Sequence, residues 1–393
     1  MKKIMVVAGG EWQVPLIRYI KSMGYHVINT NLYERSPGFV YADESYVVDV
    51  LDKPKNLELA QKNKINAVVT DQSDIAVATV AFIAESLGLC GIGTKVATLF
   101  TNKYEMRRLC KNLGFPTPQF ELCSTSEEAE VFIQKVGKAV FKPQDNQSSR
   151  GVHVVNKGQD IKVLFEDTLS ACKNGIALIE AFLDGYELTV EGYKTKDKHT
   201  TLAISEKRAM PDQPQIASSL WYSISALKKH EKLVKEHNTL IESMGLPFGI
   251  THAEYKCNNG HYTLIEVAAR GGGTKISSHI ISAISGVDVY KQLLGDVLGV
   301  DSYSIATPKL KRSVVLDFFR FEPGRIRSIA GVENLLQHPN VIDVALNFRE
   351  GDKIPVLKDD RSRAGYIIAY AQNDEELAEL LPLLKSKVQV NYV

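Results

Sequence analysis

The first ninety residues alternate β and α segments, and that alternation leaves few folds open. Residues 4–8 read as a buried strand, 12–23 as a helix, 26–31 and 46–50 as strands, 54–62 as a helix, 67–70 as a strand and 75–87 as a long helix. Strands separated by helical segments pair in parallel, with the helices covering both faces of the sheet. The expected fold is therefore α/β, opening with a doubly wound, Rossmann-like domain. Gly9-Gly10 follows the first strand, at the carboxyl end where such sheets receive ligands. The pair is not part of a GxGxxG fingerprint, and no Walker A pattern occurs in the chain. A dinucleotide site is not expected, and any phosphate must be held in another way.

At 393 residues the chain has room for two to four domains at ~100–200 residues each. Its 47 basic and 46 acidic residues give no global field, which argues against nucleic acid and membrane surfaces as partners. The five cysteines (Cys90, Cys110, Cys123, Cys172 and Cys257) are scattered without metal spacing, which suggests reduced thiols. Met1-Lys2-Lys3 and the apolar run 4–8 are too short for a signal peptide, and no segment approaches ~20 apolar residues. A cytoplasmic location follows as the expectation.

Beyond residue 94 the periods change. Residues 94–118 read as helical, with Lys103 near the start of a helix over 102–113. Ser124-Thr125-Ser126-Glu127 forms a capping box that opens a helix to about Val136. A strand over 139–142 ends in Lys142, before the polar loop 143–150 and a strand over 151–155. A lysine there, beside Ser148, Ser149 and Gly151, suits a phosphate lid; an ordinary hairpin loop with an edge lysine fits as well. Residues 176–180 form a strand ending in Glu180, followed by an apolar connector through Ala181 and Leu183 to Glu187, then a strand over 188–193. Such a connector offers backbone groups beside an apolar wall, as adenine requires, and Glu187 has the reach for ribose hydroxyls. A strand over 199–206, a flexible loop over 208–219 carrying Pro211 and Pro214, and a helix over 226–244 complete the run.

Residues 251–257 and 262–268 then read as a hairpin around Asn258-Asn259-Gly260. His252, Glu254 and Lys256 share one face of the first strand; Leu264, Glu266 and Ala268 share one face of the second, with Arg270 in phase beyond them. A two-residue Asn-Gly turn would pair Glu254 with Ile265 and leave the glutamates on opposite faces. A three-residue loop would set Glu254 against Glu266, and two facing carboxylates need a cation. Magnesium, a hard ion with oxygen ligands, suits such a pair; a surface hairpin with two solvated glutamates is the plainer reading. Gly271-Gly272-Gly273 follows, with Thr274 opening an amphipathic helix, so close backbone approach and free N–H groups are expected there.

Taken in order, Lys103, VFKP with Lys142, IEAFLDGYE with Glu180 and Glu187, HAEYK with Glu254, and LIEVAARGGG with Glu266 and Arg270 resemble the ATP-grasp superfamily. Within it the chain is similar to the carboxylate–amine (amino-acid) ligases, related to biotin carboxylase and carbamoyl-phosphate synthetase. The resemblance implies an N-terminal domain over 1–93, an ATP-grasp core over 94–305 with a lid near 115–190, and a C-terminal cap over 306–393. It implies that Lys103 and Lys142 contact ATP phosphates, that Glu180, Ala181 and Leu183 read adenine, and that Glu187 holds ribose. Glu254 and Glu266 would ligate one or two Mg²⁺ ions, with Mn²⁺ as a substitute. Arg270 and Lys142 would be catalytic, and His252, Arg270, Gly272 and Gly273 would meet substrate. The implied reaction turns a carboxylate into an acyl phosphate that an amine attacks, releasing ADP and phosphate. The implied partners are a small-molecule acid and amine, and a second copy of the chain in a homodimer. A purine-type or bicarbonate-phosphorylating ligase and an inactive nucleotide-binding regulator are the alternatives. Ala268 departs from the pattern: many relatives carry Asn there, which puts the second metal ion in question.

Overall fold

A computed structural model of the chain describes residues 1–144, 151–300, 304–358 and 362–393. The opening alternation forms β1 (Lys3–Val7), α1 (Val14–Ser22), β2 (His26–Asn31), β3 (Glu44–Val47), α2 (Lys53–Asn63), β4 (Ala67–Val69) and α3 (Asp74–Leu87). The four strands are parallel in the order β3-β2-β1-β4. Ile4, Met5, Val6 and Val7 are fully buried, as a central strand covered on both faces demands. The third strand lies two residues earlier than its hydrophobic run suggested.

A helical link follows, α4 (Thr94–Thr101) and α5 (Lys103–Asn112). Asn102 divides them: its extended backbone ends the first helix, and its side chain accepts the Glu105 N–H at 3.0 Å to cap the second. Next come β5 (Phe120–Cys123), α6 (Ser126–Val136), β6 (Lys138–Pro143), β7 (His153–Asn156), α7 (Lys162–Ser170) and β8 (Ala177–Ala181). These strands make a four-stranded sheet, β5-β8-β6-β7. The capping box of α6 is Thr125 with Glu128, each side chain meeting the other's backbone N–H at 3.3 Å. Both spacings fit S/T-x-x-E, and the structure uses the one that starts at Thr125.

The central sheet uses β9 (Tyr186–Lys194), β10 (His199–Met210), β11 (Gln213–Tyr222), β12 (Gly249–Asn258) and β13 (His261–Ala268), with α8 (Ala226–Lys229) and α9 (Glu231–Ser243) between. After α10 (Ile281–Ser285) and α11 (Val289–Val297), the remainder gives β14 (Ser313–Phe318), β15 (Gly324–Ala330), α12 (Val332–Leu336), β16 (Val341–Leu346), β17 (Lys353–Ile354), β18 (Gly365–Ala371), α13 (Asp374–Lys385) and β19 (Gln389–Tyr392). The order β13-β12-β9-β10-β11-β14-β18-β16 makes one eight-stranded sheet, and β17-β15-β19 a small one. Three strands from beyond residue 305 thus continue the central sheet. Residues 208–219, expected as a flexible loop, instead form the outer half of a long hairpin whose register shifts near Arg208 and Ala209. Proline is tolerated at strand ends and bulges, which is where Pro211 and Pro214 fall.

One apolar cluster runs from Ile4 and Leu16 through Tyr193, Leu202 and Ile280 to Val314 and Ile368, joining the parallel sheet, the central sheet and the C-terminal strands. A second packs Leu188, Val190, Ala253, Tyr255, Leu264 and Val267 against Phe100, Met106, Leu233 and Leu240. Strand alternation then sends Glu187, Thr189 and Glu191 to the other face of β9. Among the described residues no helix is long and apolar enough to cross a membrane. All five cysteines are free thiols.

Candidate functional site

The hairpin of β12 and β13 decides where two carboxylates point. Its turn is the two-residue Asn259-Gly260, with φ of +49° and +74° and Asn258 paired to His261. That turn alone would separate the glutamates. The ladder runs Cys257 to Tyr262, Lys256 to Thr263 and Tyr255 to Leu264, then jumps to Glu254 opposite Glu266. Ile265 is the extra residue of a β-bulge, which reverses the phase of everything after it. Convergence requires either a three-residue loop or a bulge, and the bulge is what brings the two carboxylates together.

Glu254 also stands opposite Thr189 of β9, and Lys256 opposite Glu187, so a polar floor spreads over three strands. Burial alone would raise the Glu254 carboxyl; Lys207, His252 and Arg270 outweigh it and hold the group well below the usual carboxylate range. Glu266 meets the Lys103 ammonium at 3.1 Å. Burial opposes the charge on Lys103, but Glu266, Asp74 and Glu180 together raise its pKa above the lysine norm. His252 donates its Nδ1–H to the Glu191 carboxylate at 2.8 Å, and its Nε2 lies 3.8 Å from Glu254. Glu191 outweighs the burial of His252 and pushes the imidazole up to about 10, so it is protonated at neutral pH.

The resemblance implies that Glu180 reads adenine; in the structure its side chain is engaged by two cations. Its carboxylate is buried and accepts from Arg107 Nε at 2.6 Å, while Lys142 forms a second ion pair with it. Two cations share one anion. Lys142 accordingly lies below the ordinary lysine value, first from burial and then from the charges of Arg107 and Lys103. An arriving anion would relieve that imbalance. The Ala181 N–H donates to the Gln119 carbonyl at 2.9 Å, and Leu183 lies in the connector before β9. Glu187 sits between Lys207 at 2.5 Å and Lys256 at 3.2 Å. Gly151 has φ of +66° and packs on α7, where Thr168 Oγ1 donates to its carbonyl at 2.9 Å. Ser148 and Ser149 lie outside the described residues.

Arg270 is clamped by Asp74, the first residue of α3. Its Nε and Nη2 donate to Asp74 at 2.8 and 2.7 Å, and Nη1 donates to the Gly271 carbonyl at 2.9 Å. Asp71, fully buried, accepts from the Gly271 N–H at 2.8 Å, from Ser277 at 2.5 Å and from Tyr290 at 2.7 Å. The glycine run is therefore chiefly a packing device: a Cβ on Gly271 would strike Asp71 and Ser277, and one on Gly272 would strike His252, whereas Gly273 faces open space. Thr274 does not open the helix. Thr274 and Lys275 are left-handed, at +57° and +62°, and the helix starts as a π turn at Ile276. The Lys275 N–H is capped by Gln72 at 3.1 Å, so this end is partly satisfied from the N-terminal domain.

Lys103, His252, Glu254, Glu266 and Arg270 thus converge, with Lys142 and Glu180 joined to them through α5. Asp71, Asp74, Arg107, Glu191 and Lys207 belong to the same assembly and were not identified from sequence. Asp71 and Asp74 had a signal, since they follow β4 at the carboxyl end of a parallel sheet. Glu191, a charge inside the apolar run Leu188–Tyr193, had another. Among the described residues no group of three or more metal-ligating side chains converges. A pair of carboxylates is what Mg²⁺ uses when substrate phosphates supply its other oxygens, so the donor set fits that ion.

Comparison with known proteins gives the same outline. Residues 137–278 match the ATP-grasp domain family, and residues 317–393 match the family described as L-amino acid ligase C-terminal domain 2. A formate-dependent phosphoribosylglycinamide formyltransferase of Corynebacterium glutamicum is 28% identical over 206 residues, covering 51% of this chain and 50% of that protein. The chain spans about half the length of the curated relatives it matches. The L-amino acid ligase of Bacillus licheniformis superposes over 100% of this chain and 99% of its own, with TM-score 0.84 and 20% identity. The phosphoribosylglycinamide synthetase of Anaerococcus prevotii covers 100% of both chains, with TM-score 0.78 and 15% identity. The chain carries an ATP-grasp domain and an L-amino acid ligase C-terminal domain.

Proposed function

We propose that this chain is an ATP-dependent carboxylate–amine ligase, and that its site lies on the polar face of β9, β12 and β13. The observation that carries the reading is the convergence of Glu254 and Glu266 across the bulge, within a ring of Lys103, Lys207, His252 and Arg270. A carboxylate resists attack because its leaving group would be oxide. Transfer of the ATP γ-phosphoryl group to a carboxylate oxygen gives an acyl phosphate and ADP. An amine nitrogen then attacks the acyl carbon, the C–O bond to phosphate breaks, and the amine loses its proton as phosphate departs. Phosphoryl transfer needs positioning and charge neutralisation more than a nucleophile from the protein.

In this reading Lys142 and Lys103 meet phosphate oxygens, and Glu187 accepts from ribose hydroxyls once it exchanges part of its contact with Lys207 and Lys256. Backbone groups near Ala181 and Leu183 border adenine, with Glu180 holding the cations rather than the base. Glu254 and Glu266 hold Mg²⁺, which when bound supplies charge neutralisation of the phosphates. Ala268 contributes no ligand, so the protein offers two carboxylates. Arg270, with two guanidinium N–H groups beyond the three used by Asp74 and Gly271, presents a planar donor pair to the transferring group or the substrate carboxylate. Protonated His252 acts as a cation and donor beside the acid. A crevice of about 220 Å³ beside Lys103 and Glu266, walled by Leu51, Ile75 and Phe100, has room for a small apolar substituent.

A second reading takes formate as the acid and phosphoribosylglycinamide as the amine, and rests on the name of the formyltransferase relatives. Release of ADP across a panel of amino acids, formate and amines separates the two. The ligase reading expects ADP release that needs an amino acid and a second amine, stops on chelation and returns with Mg²⁺ or Mn²⁺. Release with formate and phosphoribosylglycinamide alone favours the second reading. No ADP release with any pair rejects both.

A further inference from the structure

The bulge at Ile265 is held by a residue of another element. Arg107 lies on α5, one turn after Lys103, and is fully buried. Residues four apart share a helix face, so α5 delivers two cations side by side. Lys103 meets the Glu266 side chain at 3.1 Å, and Arg107 Nη2 donates to the main-chain carbonyl of Ile265, the residue before it. The same guanidinium reaches Glu180 of β8 through Nε at 2.6 Å and Nη2 at 3.4 Å.

A bulged residue has no partner across the ladder, and a partly buried carbonyl such as that of Ile265 is costly to leave without one. If the bulge were absorbed, Ile265 would pair with Glu254, and Glu266 would turn to the face that packs on Phe100 and Met106. The hydrophobic pattern favours the bulge as well, since Leu264 and Val267 are both buried on that face. Arg107 supplies the polar half of the same selection. We infer that Arg107 is a positioning residue: it fixes the phase of β13 that sets Glu266 opposite Glu254, and it ties that phase to Glu180. This rests on the proposed nucleotide–metal site for its consequence in catalysis, but the geometric statement stands apart from it.

Two measurements separate those levels. In a Glu254→Cys/Glu266→Cys pair the cysteines face one another across the ladder, within reach of a disulfide after small adjustment. Oxidation followed by mass spectrometry should give the 254–266 crosslink readily with Arg107 present and at least tenfold more slowly with Arg107→Met. Equal crosslinking rates would overturn the inference whatever the protein does with ATP. The second experiment leaves the glutamates intact and titrates Mn²⁺, read by electron paramagnetic resonance, into protein saturated with a non-hydrolysable ATP analogue. Arg107→Lys keeps a charge for Glu180 but cannot span both acceptors. It should keep the wild-type melting temperature within a few degrees, bind the analogue in EDTA as wild type does, and bind Mn²⁺ at least tenfold more weakly. Unchanged Mn²⁺ affinity would overturn the positioning role, as would a loss of Mn²⁺ affinity that merely follows a loss of analogue affinity. Arg107-dependent crosslinking in the cysteine pair, together with wild-type protein that binds no analogue, would reject the ligase reading and leave the positioning of Glu266 by Arg107 in place.

Discussion

Replacing Arg270 by lysine tests the site most sharply, because the structure counts the bonds involved. The guanidinium gives two N–H groups to Asp74 and one to the Gly271 carbonyl, and its side chain is 10% exposed against 23% for that of Asp74. A lysine ammonium is a point donor on a flexible stem. It can keep one bond to Asp74 but cannot hold both oxygens, reach Gly271 and face a ligand together. Charge-assisted hydrogen bonds contribute ~1.5–3 kcal/mol each when partly buried. The loss of two of the three, discounted for partial exposure, predicts a fall of about 3 kcal/mol in unfolding free energy, measurable in urea. Turnover should suffer more. Deleting one donor to developing charge lowers rate by ~10²–10³, so the rate constant should drop by that order while the Michaelis constant for ATP stays within about threefold. A raised Michaelis constant for the acid with intact turnover would mean that Arg270 grips the substrate carboxylate. Asp74→Asn, which leaves Arg270 in place but loosens its clamp, should reproduce part of the defect. If Arg270→Lys moves neither stability by 0.5 kcal/mol nor turnover by about twofold, the site assignment fails.

Other expectations follow from single residues. Glu187→Ala should weaken ADP binding by roughly 1.5–3 kcal/mol per lost ribose bond, read by calorimetry; an unchanged dissociation constant removes Glu187 from the nucleotide site. His199 is buried, with Nδ1 2.7 Å from Asn238 and Nε2 2.8 Å from Thr251, and burial lowers its pKa from 6.5 to about 4. A depressed imidazole contributes stability above the unfolded value that is lost as pH falls toward the folded one. Unfolding free energy should therefore drop by on the order of 2 kcal/mol more in wild type than in His199→Gln between pH 6.5 and 5, and parallel curves would contradict this. A homodimer predicts sedimentation at twice the 43.6 kDa of one chain, whereas 43.6 kDa itself would show a monomer.

The sequence by itself determined the layers of this protein and most of its charged vocabulary. Strand–helix alternation forces a parallel sheet because each segment must bury an apolar face, and the opening ninety residues carry that signal locally. The ordered series from Lys103 to Arg270 carried the nucleotide-site reading through its resemblance to the ATP-grasp superfamily, since each motif alone fits a plainer role. What sequence left open was phase and partnership. The run Tyr262, Leu264, Ile265, Val267 contains the bulge in outline, since two adjacent apolar residues break a strict alternation. Whether that break slides the turn or bulges the strand depends on Arg107, 158 residues away. The resemblance implied a base-reading role for Glu180, and only the folded chain shows two cations from separate elements on its carboxylate. Thr274 looked like a helix start, but Gln72 and Asp71 of the loop after β4 hold the segment, and a left-handed turn precedes the helix. In each case the deciding bond joins residues distant in the chain. A hydrophobic period reports which face a segment buries, and only the folded chain decides which charge meets it there.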